Sequence, residues 1–411
     1  MAFSFFSNRG YDETLVLLVD IGSASVGGAL VKIEKGRAPH IIATVRKNIS
    51  FQEVLSSARF LVAMNHALDQ VLKDLQSTMR PARDSGGSGQ TMKPLGSPAH
   101  IFCSLSSPWF VLKSRYLNIL RQQEFEVTEE VLNEFVNEDI VRLKEELKEI
   151  LPPKDVKIIE KKIIQMKLNG YDIKSPYGQK TSRMEILMTV GVSSGKVIES
   201  IERKLRSVFH AKEVNFGAFP IAAFSAIRDI FPTENDFLFL DITGEATDVS
   251  LVNDGLLMGT VSFPRGGNFF TREISAQMRT VHEEAATLFA MFLRDELETT
   301  KHSKVSAIVT HAEGEWVSNF EKALSTLSGN GVLPNKVFFT TDVHLAPLFS
   351  MLASRYSGTE KTESSMNSLQ AAQYLDQFVV AKFVSFETNV IRDPFMVVEA
   401  LLAQKMIAQH K

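Results

Sequence analysis

Residues 237–274 read FLFLDITGEATDVSLVNDGLLMGTVSFPRGGNFFTREI, and the order of elements in this stretch decides the fold. An apolar run from Phe237 ends at Asp241 and a short polar turn follows. A second run of strand character comes back as far as Asn253-Asp254-Gly255, residue types that favour a tight hairpin turn. A third run leads to Gly266-Gly267, where a helix opens. The unit is a β-hairpin with a phosphate-type turn, followed by a glycine pair at a helix start.

Working outward, the start of the chain has the same grammar. Thr14 to Asp20 is a buried-type strand, Gly22-Ser23-Ala24-Ser25 is a turn, and Val26 to Ile33 is a second strand. Gly22, Ser23 and Ser25 are small enough for backbone and hydroxyl groups to reach a phosphate. Two strand–turn–strand units, one ending on Asp20 and the other on Asp241, predict two similar lobes facing one another without a tandem repeat. A strand at His40 to Thr44, a helix from Phe51 to about Leu75, a Gly/Ser/Pro-rich loop at Arg80 to Pro98 and a strand at His100 to Leu105 complete the first lobe's opening part.

From Trp109 the texture changes. Phe110 to Leu117 reads as a strand. Thr128 caps a helix with Glu129 and Glu130 in its first turn, and Pro152-Pro153 stops that helix after about Ile150. Val156 to Leu168 reads as a pair of strands, Asn169-Gly170 as a turn, Met184 to Val192 as a strand and Ser194 to Phe209 as a helix. The charges from Arg142 to Glu149 form a solvated helix face, and nothing in this insert reads as catalytic. Beyond Ile274 the helical pattern runs, with at most a brief break, to Glu298. Val305 to Thr310 reads as a strand, His311 to Gly314 as a loop, Trp316 to Leu327 as a helix and Val337 to Thr340 as a strand. Ser354 to Ser368 is a polar loop, and Pro394 opens a last helix to about Ala408.

At 411 residues the chain calls for two or more lobes. A net charge of -3 gives no electrostatic footing for nucleic acid. The single cysteine, Cys103, lies in an apolar run and has no intrachain disulfide partner, as expected of a buried thiol in a reducing cytoplasm. No apolar run reaches the roughly 20 residues that span a bilayer. Phe3, Phe5 and Phe6 precede Arg9 in a short start that reads as a frayed or partner-binding arm, or as a weak membrane contact.

The ordered set of parts resembles the actin-like superfamily, from about Leu15 to Met406. Asp20-Ile21-Gly22-Ser23 resembles its first phosphate loop, Asp241 to Asp248 its second, and Ile308 to Gly314 sits where the superfamily has its adenosine motif. Phe125 to Glu130, Leu168 to Gly178 and Arg183 to Ile186 are similar to the SHS2 insert (subdomain 1C) of FtsA, the actin-like cell-division family. The Phe-rich start and Gly266-Gly267-Asn268-Phe269-Phe270-Thr271 resemble instead PilM, the actin-like scaffold family of type IV pilus assembly.

The resemblance implies an α/β, two-lobed, ribonuclease H-like fold with an SHS2-type insert. The expected organisation is an arm at 1–11, lobe 1 at 12–108, the insert at 109–212, a return to lobe 1 at 213–233, lobe 2 at 234–380 and a closing segment of lobe 1 at 381–411. It implies a nucleotide cleft of Asp20, Gly22, Ser23, Asp241, Gly244, Thr247 and Gly267, with Asp20, Asp241 and Asp248 beside the metal of ATP and Mg2+. It nominates no catalytic residue. The implied role is a cytoplasmic scaffold at the membrane's inner face. Its partner at the insert would be a tubulin-like division protein or a membrane-protein tail, and self-association is a further expectation. An ATP-driven switch is the alternative of a different class.

Three departures point to a degenerate nucleotide site. Thr243 and Glu245 stand where the superfamily has glycines, so each adds bulk and Glu245 adds charge beside an anion. His311 and Glu313 replace small residues of the adenosine motif. The span from Thr271 to Ala307 is too short for the 2B subdomain, which is therefore expected to be reduced or absent.

Overall fold

Apolar runs bounded by turn residues pair as two separate sheets, one for each strand–turn–strand unit. The computed structural model describes residues 13–79, 95–211, 213–329, 331–355 and 372–409. The N-terminal arm and most of the two polar loops lie outside the described residues.

In chain order, lobe 1 begins with β1 (Thr14–Ile21), β2 (Ser25–Ile33), β3 (His40–Asn48), α1 (Ser57–Met79) and β4 (His100–Leu105). The insert follows: β5 (Val111–Glu126), α2 (Glu129–Glu146), β6 (Val156–Leu168), β7 (Tyr171–Asp172), β8 (Lys180–Ser194) and α3 (Gly195–Phe209). The chain returns through β9 (Asn215–Ala218) and α4 (Phe219–Ile230). Lobe 2 comprises β10 (Phe237–Ile242), β11 (Thr247–Asn253), β12 (Leu256–Phe263), α5 (Gly267–Met278), α6 (His282–Leu293), α7 (Thr299–Ser328), β13 (Val337–Thr340), α8 (Ala346–Ser354) and β14 (Gln373–Tyr374). The one-turn helix α9 (Gln377–Val380), β15 (Ser385–Phe386) and α10 (Pro394–Gln409) close lobe 1.

The two lobe sheets repeat one plan. β1 pairs antiparallel with β2 and parallel with β4, and β2 pairs with β3. β10 likewise pairs antiparallel with β11 and parallel with β13, and β11 with β12. The sheet orders are β15-β3-β2-β1-β4-β9 and β12-β11-β10-β13-β14. Helices cover the central strands, so β1 and β10 are buried almost end to end and are apolar at nearly every position, Asp20 and Asp241 being the buried exceptions. α1 presents Phe60, Met64, Ala67, Leu68, Val71, Leu72 and Leu75, spaced three and four apart, to β2 and β3.

The insert has its own four-stranded sheet, β5-β8-β6-β7, with α2 packed over Met184, Ile186, Met188 and Val190. Thr128 caps α2 as expected, its hydroxyl accepting from the Val131 N–H. α3 packs instead into the lobe 1 core through Ile201, Leu205 and Phe209.

Five sequence expectations need correction. Val305 to Thr310 is not a strand, and His311 to Gly314 is not a loop; both lie inside the 30-residue helix α7. Its buried residues Val305, Ile308, Val309, Ala312, Trp316 and Phe320 form one helical stripe, a period that a six-residue β-branched window hides. Val156 to Leu168 is one strand rather than two. The helix after Ile274 is broken at Arg279 and again at Asp295, both with positive φ, and α1 starts at Ser57 rather than Phe51.

Candidate functional site

The ends of β1 and β10 meet across the cleft between the lobes, and so do the turns that follow them. The Ser23 hydroxyl lies 2.7 Å from that of Thr243 and accepts the Glu245 N–H at 2.8 Å. A Cβ on Gly244 would stand 2.7 Å from the Ala24 Cβ, so glycine is what allows the two loops to touch. The cavity they enclose is about 20 Å3, lined among others by Asp20, Gly22, Ser23, Ile242 and Thr243. That is room for about one water molecule, not for a phosphate chain.

The amides that open α5 are spent as well. The Gly267 N–H donates to the Thr243 carbonyl at 2.9 Å and the Asn268 N–H to that of Gly244 at 2.8 Å. A Cβ on Gly266 would fall 2.2 Å from the Thr243 carbonyl oxygen, so this junction tolerates only glycine. Thr247 turns its hydroxyl into lobe 2, where it donates to the Arg265 carbonyl and accepts from the Trp316 indole. Gly22 donates to the Ser25 carbonyl and accepts from the Trp109 indole at 2.7 Å.

The three aspartates expected beside a metal are all buried, and each has protein partners. Asp20 accepts from Arg46 at 2.8 Å. Asp241 accepts from the hydroxyls of Ser106 and Thr340 at 2.8 and 2.9 Å. Asp248, its cross-strand neighbour, accepts from both the hydroxyl and the N–H of Ser107 and from the Ser262 hydroxyl. Burial pushes all three carboxyls up from the ordinary range; for Asp241 the nearby Asp248 charge adds to it, and for Asp20 the Arg46 charge opposes it. Among the described residues no group of three or more His, Cys, Asp or Glu side chains is placed to hold a metal ion.

Glu245 is not a bare charge. Its carboxylate accepts from Asn268 at 2.8 Å and from both Nη atoms of Arg272 at 3.0 Å. Arg272 then crosses to lobe 1, donating to the Gln52 carbonyl and lying 4.7 Å from the Phe51 ring centre, while Phe51 stacks on His282. This stack stands in a wider depression of about 900 Å3 at the cleft mouth, where Asp342 and His344 also lie. The cleft thus has width for a base at its mouth and no space for phosphates at its floor.

A second concavity lies elsewhere. Between the insert and the β11–β12 hairpin runs a groove of about 1110 Å3, walled by Ile163, Met166 and Tyr177 on one side and by Asn253, Leu256 and Met258 on the other. Tyr177 in its wall is 58% exposed.

No protein-family model matches this sequence, and no curated protein matches it. A solved structure of the PilM–PilN type IV pilus biogenesis complex superimposes with a TM-score of 0.60 over 95% of this chain and 98% of that one, at 13% identity. The chain has the two-lobed actin-like fold. Two further solved structures are similar over most of their length. The ethanolamine utilization protein EutJ from Carboxydothermus hydrogenoformans has 13% identity, TM-score 0.44 and coverage of 95% and 89%. Component A of (R)-2-hydroxyglutaryl-CoA dehydratase from Acidaminococcus fermentans has 9% identity, TM-score 0.39 and coverage of 96% and 99%.

The turns after β1 and β10 stand where the sequence located them, at Gly22–Ser25 and Thr243–Ala246. The adenosine motif does not stand at Ile308–Gly314. β13 runs parallel to β10 as β4 does to β1, and Asp342 and His344 lie in the loop after Thr340, at the cleft mouth. Sequence reasoning missed Arg46, Ser106, Ser107, Arg272 and Asp393, which make most of the cleft's contacts. The one signal for them was Ser106-Ser107, polar residues directly after an apolar strand that pairs in parallel with β1.

Proposed function

We propose that this actin-like chain is a scaffold that works through the groove beside its insert, with an interlobe cleft that no longer takes ATP and Mg2+. The observation that carries the reading is the contrast in space: about 20 Å3 between the phosphate loops and about 1110 Å3 between insert and hairpin. The groove's apolar wall of Ile163, Met166, Leu256 and Met258, edged by Asn253, Asp254, Lys167 and Lys174, suits an extended protein segment. The PilM–PilN complex, a pairing of this fold with a protein partner, supports the same reading. In PilM-like work the partner would be the tail of a membrane protein, and the scaffold would sit at the inner face of the membrane without entering it. Among the described residues no helix is long and apolar enough to cross a membrane.

A second reading, an FtsA-like division scaffold with an SHS2 insert, rests on the segments Asn169-Gly170-Tyr171 and Ser175-Pro176-Tyr177-Gly178, of which Pro176 and Tyr177 line this same groove. One experiment addresses both. The tagged chain and a Met258→Asp variant are used to capture partners from the native host, followed by mass spectrometry. A membrane protein with a short cytoplasmic tail, lost with the variant, supports the pilus-type reading. A tubulin-like protein lost in the same way supports the division reading. Partners that bind both chains equally would overturn the groove as the site.

A further inference from the structure

Two lobes that bring Asp20, Asp241 and Asp248 together in a buried cleft need a compensating positive charge. Arg46, near the end of β3, supplies one at Asp20. Its Nη1 donates to Asp20 Oδ2 at 2.8 Å and to the Ser25 hydroxyl at 2.9 Å. Its Nε and Nη2 hold both oxygens of Asp393, at 2.7 and 3.2 Å, in a fork-to-fork pair. Asp393 in turn caps α10, accepting from the N–H groups of Phe395 and Met396, and the guanidinium lies 4.8 Å from the Phe395 ring centre. Arg46 therefore ties β1, the first phosphate loop and the closing helix of lobe 1 to one cation.

The seat for this cation is built into β2. A Cβ on Gly27 would fall 2.6 Å from Nη2 and 2.8 Å from Cζ, so the guanidinium lies where any other residue would put a side chain. The neighbouring carboxylates hold Arg46 charged against the opposing effect of its burial.

We propose that Arg46 is the resident cation of the cleft, a tethered guanidinium that balances charge at the end of β1 in place of a divalent metal. A metal arrives with its ligand and leaves with it, whereas a side chain stays. The closed cleft is then a permanent part of the fold, independent of nucleotide. This inference stands apart from the groove, and either can fail without the other.

The test is thermal unfolding of the full chain as wild type, Arg46→Met, Arg46→Lys, Asp20→Asn and the double variant Arg46→Met/Asp20→Asn. Each is measured in EDTA, in millimolar MgCl2 and in millimolar MgCl2 with ATP. Wild type is expected to melt at one temperature in all three solutions. Arg46→Met is expected to lose roughly 10 °C, since it strands two buried carboxylates. Asp20→Asn should cost less in the Arg46→Met background than in wild type, because the stranded charge is then removed. Arg46→Lys keeps the charge but loses the fork, and is expected to fold and melt between wild type and Arg46→Met. Should Arg46→Met fail to fold, Arg46→Lys and the wild-type metal series still decide. A wild type that gains stability with MgCl2 or MgCl2 and ATP overturns the proposal, as does Arg46→Lys or Arg46→Met melting with wild type, or strict additivity in the double variant.

Discussion

The interlobe cleft and the groove beside the insert are both concave and both lined by polar and apolar groups, yet they are opposites in what remains free. In the cleft, Ser23 and Thr243 bond each other, Asp241 accepts from Ser106 and Thr340, Asp248 from Ser107 and Ser262, and the first amides of α5 donate to the carbonyls of Thr243 and Gly244. In the groove, Ile163, Tyr177 and Met258 are between 39% and 58% exposed. Polar residues in a binding-type pattern do not make a binding site; unspent hydrogen bonds and open volume do. In the reading proposed above, the cleft serves as a joint between lobes and the accessible surface lies beside the insert.

That comparison can be broken most forcefully at the joint. Gly266→Ala is expected to destabilise the chain by about 3 kcal/mol, read by urea unfolding, because its Cβ meets backbone rather than a side chain that can yield. A loss under about 1 kcal/mol would show that the loops have slack, and with it room for a ligand.

Glu160 sharpens the comparison between the joint and the insert. A bulge in β6 between Ile158 and Glu160 lets its carboxyl accept the Ala218 N–H at 3.1 Å, docking the insert on lobe 1, and burial pushes its pKa up to about 7. A carboxyl whose folded pKa is raised binds a proton in the native state that the unfolded chain releases. Its contribution is therefore present below about pH 4.5 and is lost as pH rises to about 7. Other buried acids act in the same direction, so the measurement is the difference between wild type and Glu160→Gln. Across that window wild type should lose up to roughly 3 kcal/mol more than the variant, less whatever solvent reaching this partly buried side chain restores. Equal slopes would remove Glu160 from the docking contact.

Arg272→Ala tests the second cross-lobe tie. It removes two bonds to Glu245 and the reach to Gln52, for an expected loss of about 2 kcal/mol in urea unfolding, with Asn268 keeping part of the carboxylate satisfied. The smallest effect belongs to the groove. Met258→Asp is expected to change stability by no more than about 0.5 kcal/mol while abolishing partner capture, since an exposed side chain contributes little to folding. A large loss of stability would make the groove a packing surface instead.

Much of this was legible in the residues themselves. Strand runs ending at Asp20 and Asp241, turns at Gly22–Ser25 and Thr243–Ala246, and Gly266-Gly267 before a helix are local patterns, because strand period and turn chemistry act over a few positions. They determined the duplicated lobes, the position of the insert and the place of the cleft. α7 was misread because Val305 to Thr310 fits both periods in so short a window, and the adenosine position was misplaced with it. Only the tertiary structure decided whether the cleft is open. Arg46 and Asp393 are 347 positions apart, Ser107 and Asp248 are 141 apart, and Ser23 and Thr243 are 220 apart. A hydrogen bond spends its donor whatever the distance along the chain, so the sequence determined where the two turns stand, and only tertiary packing decided which groups meet them at the cleft and bind there.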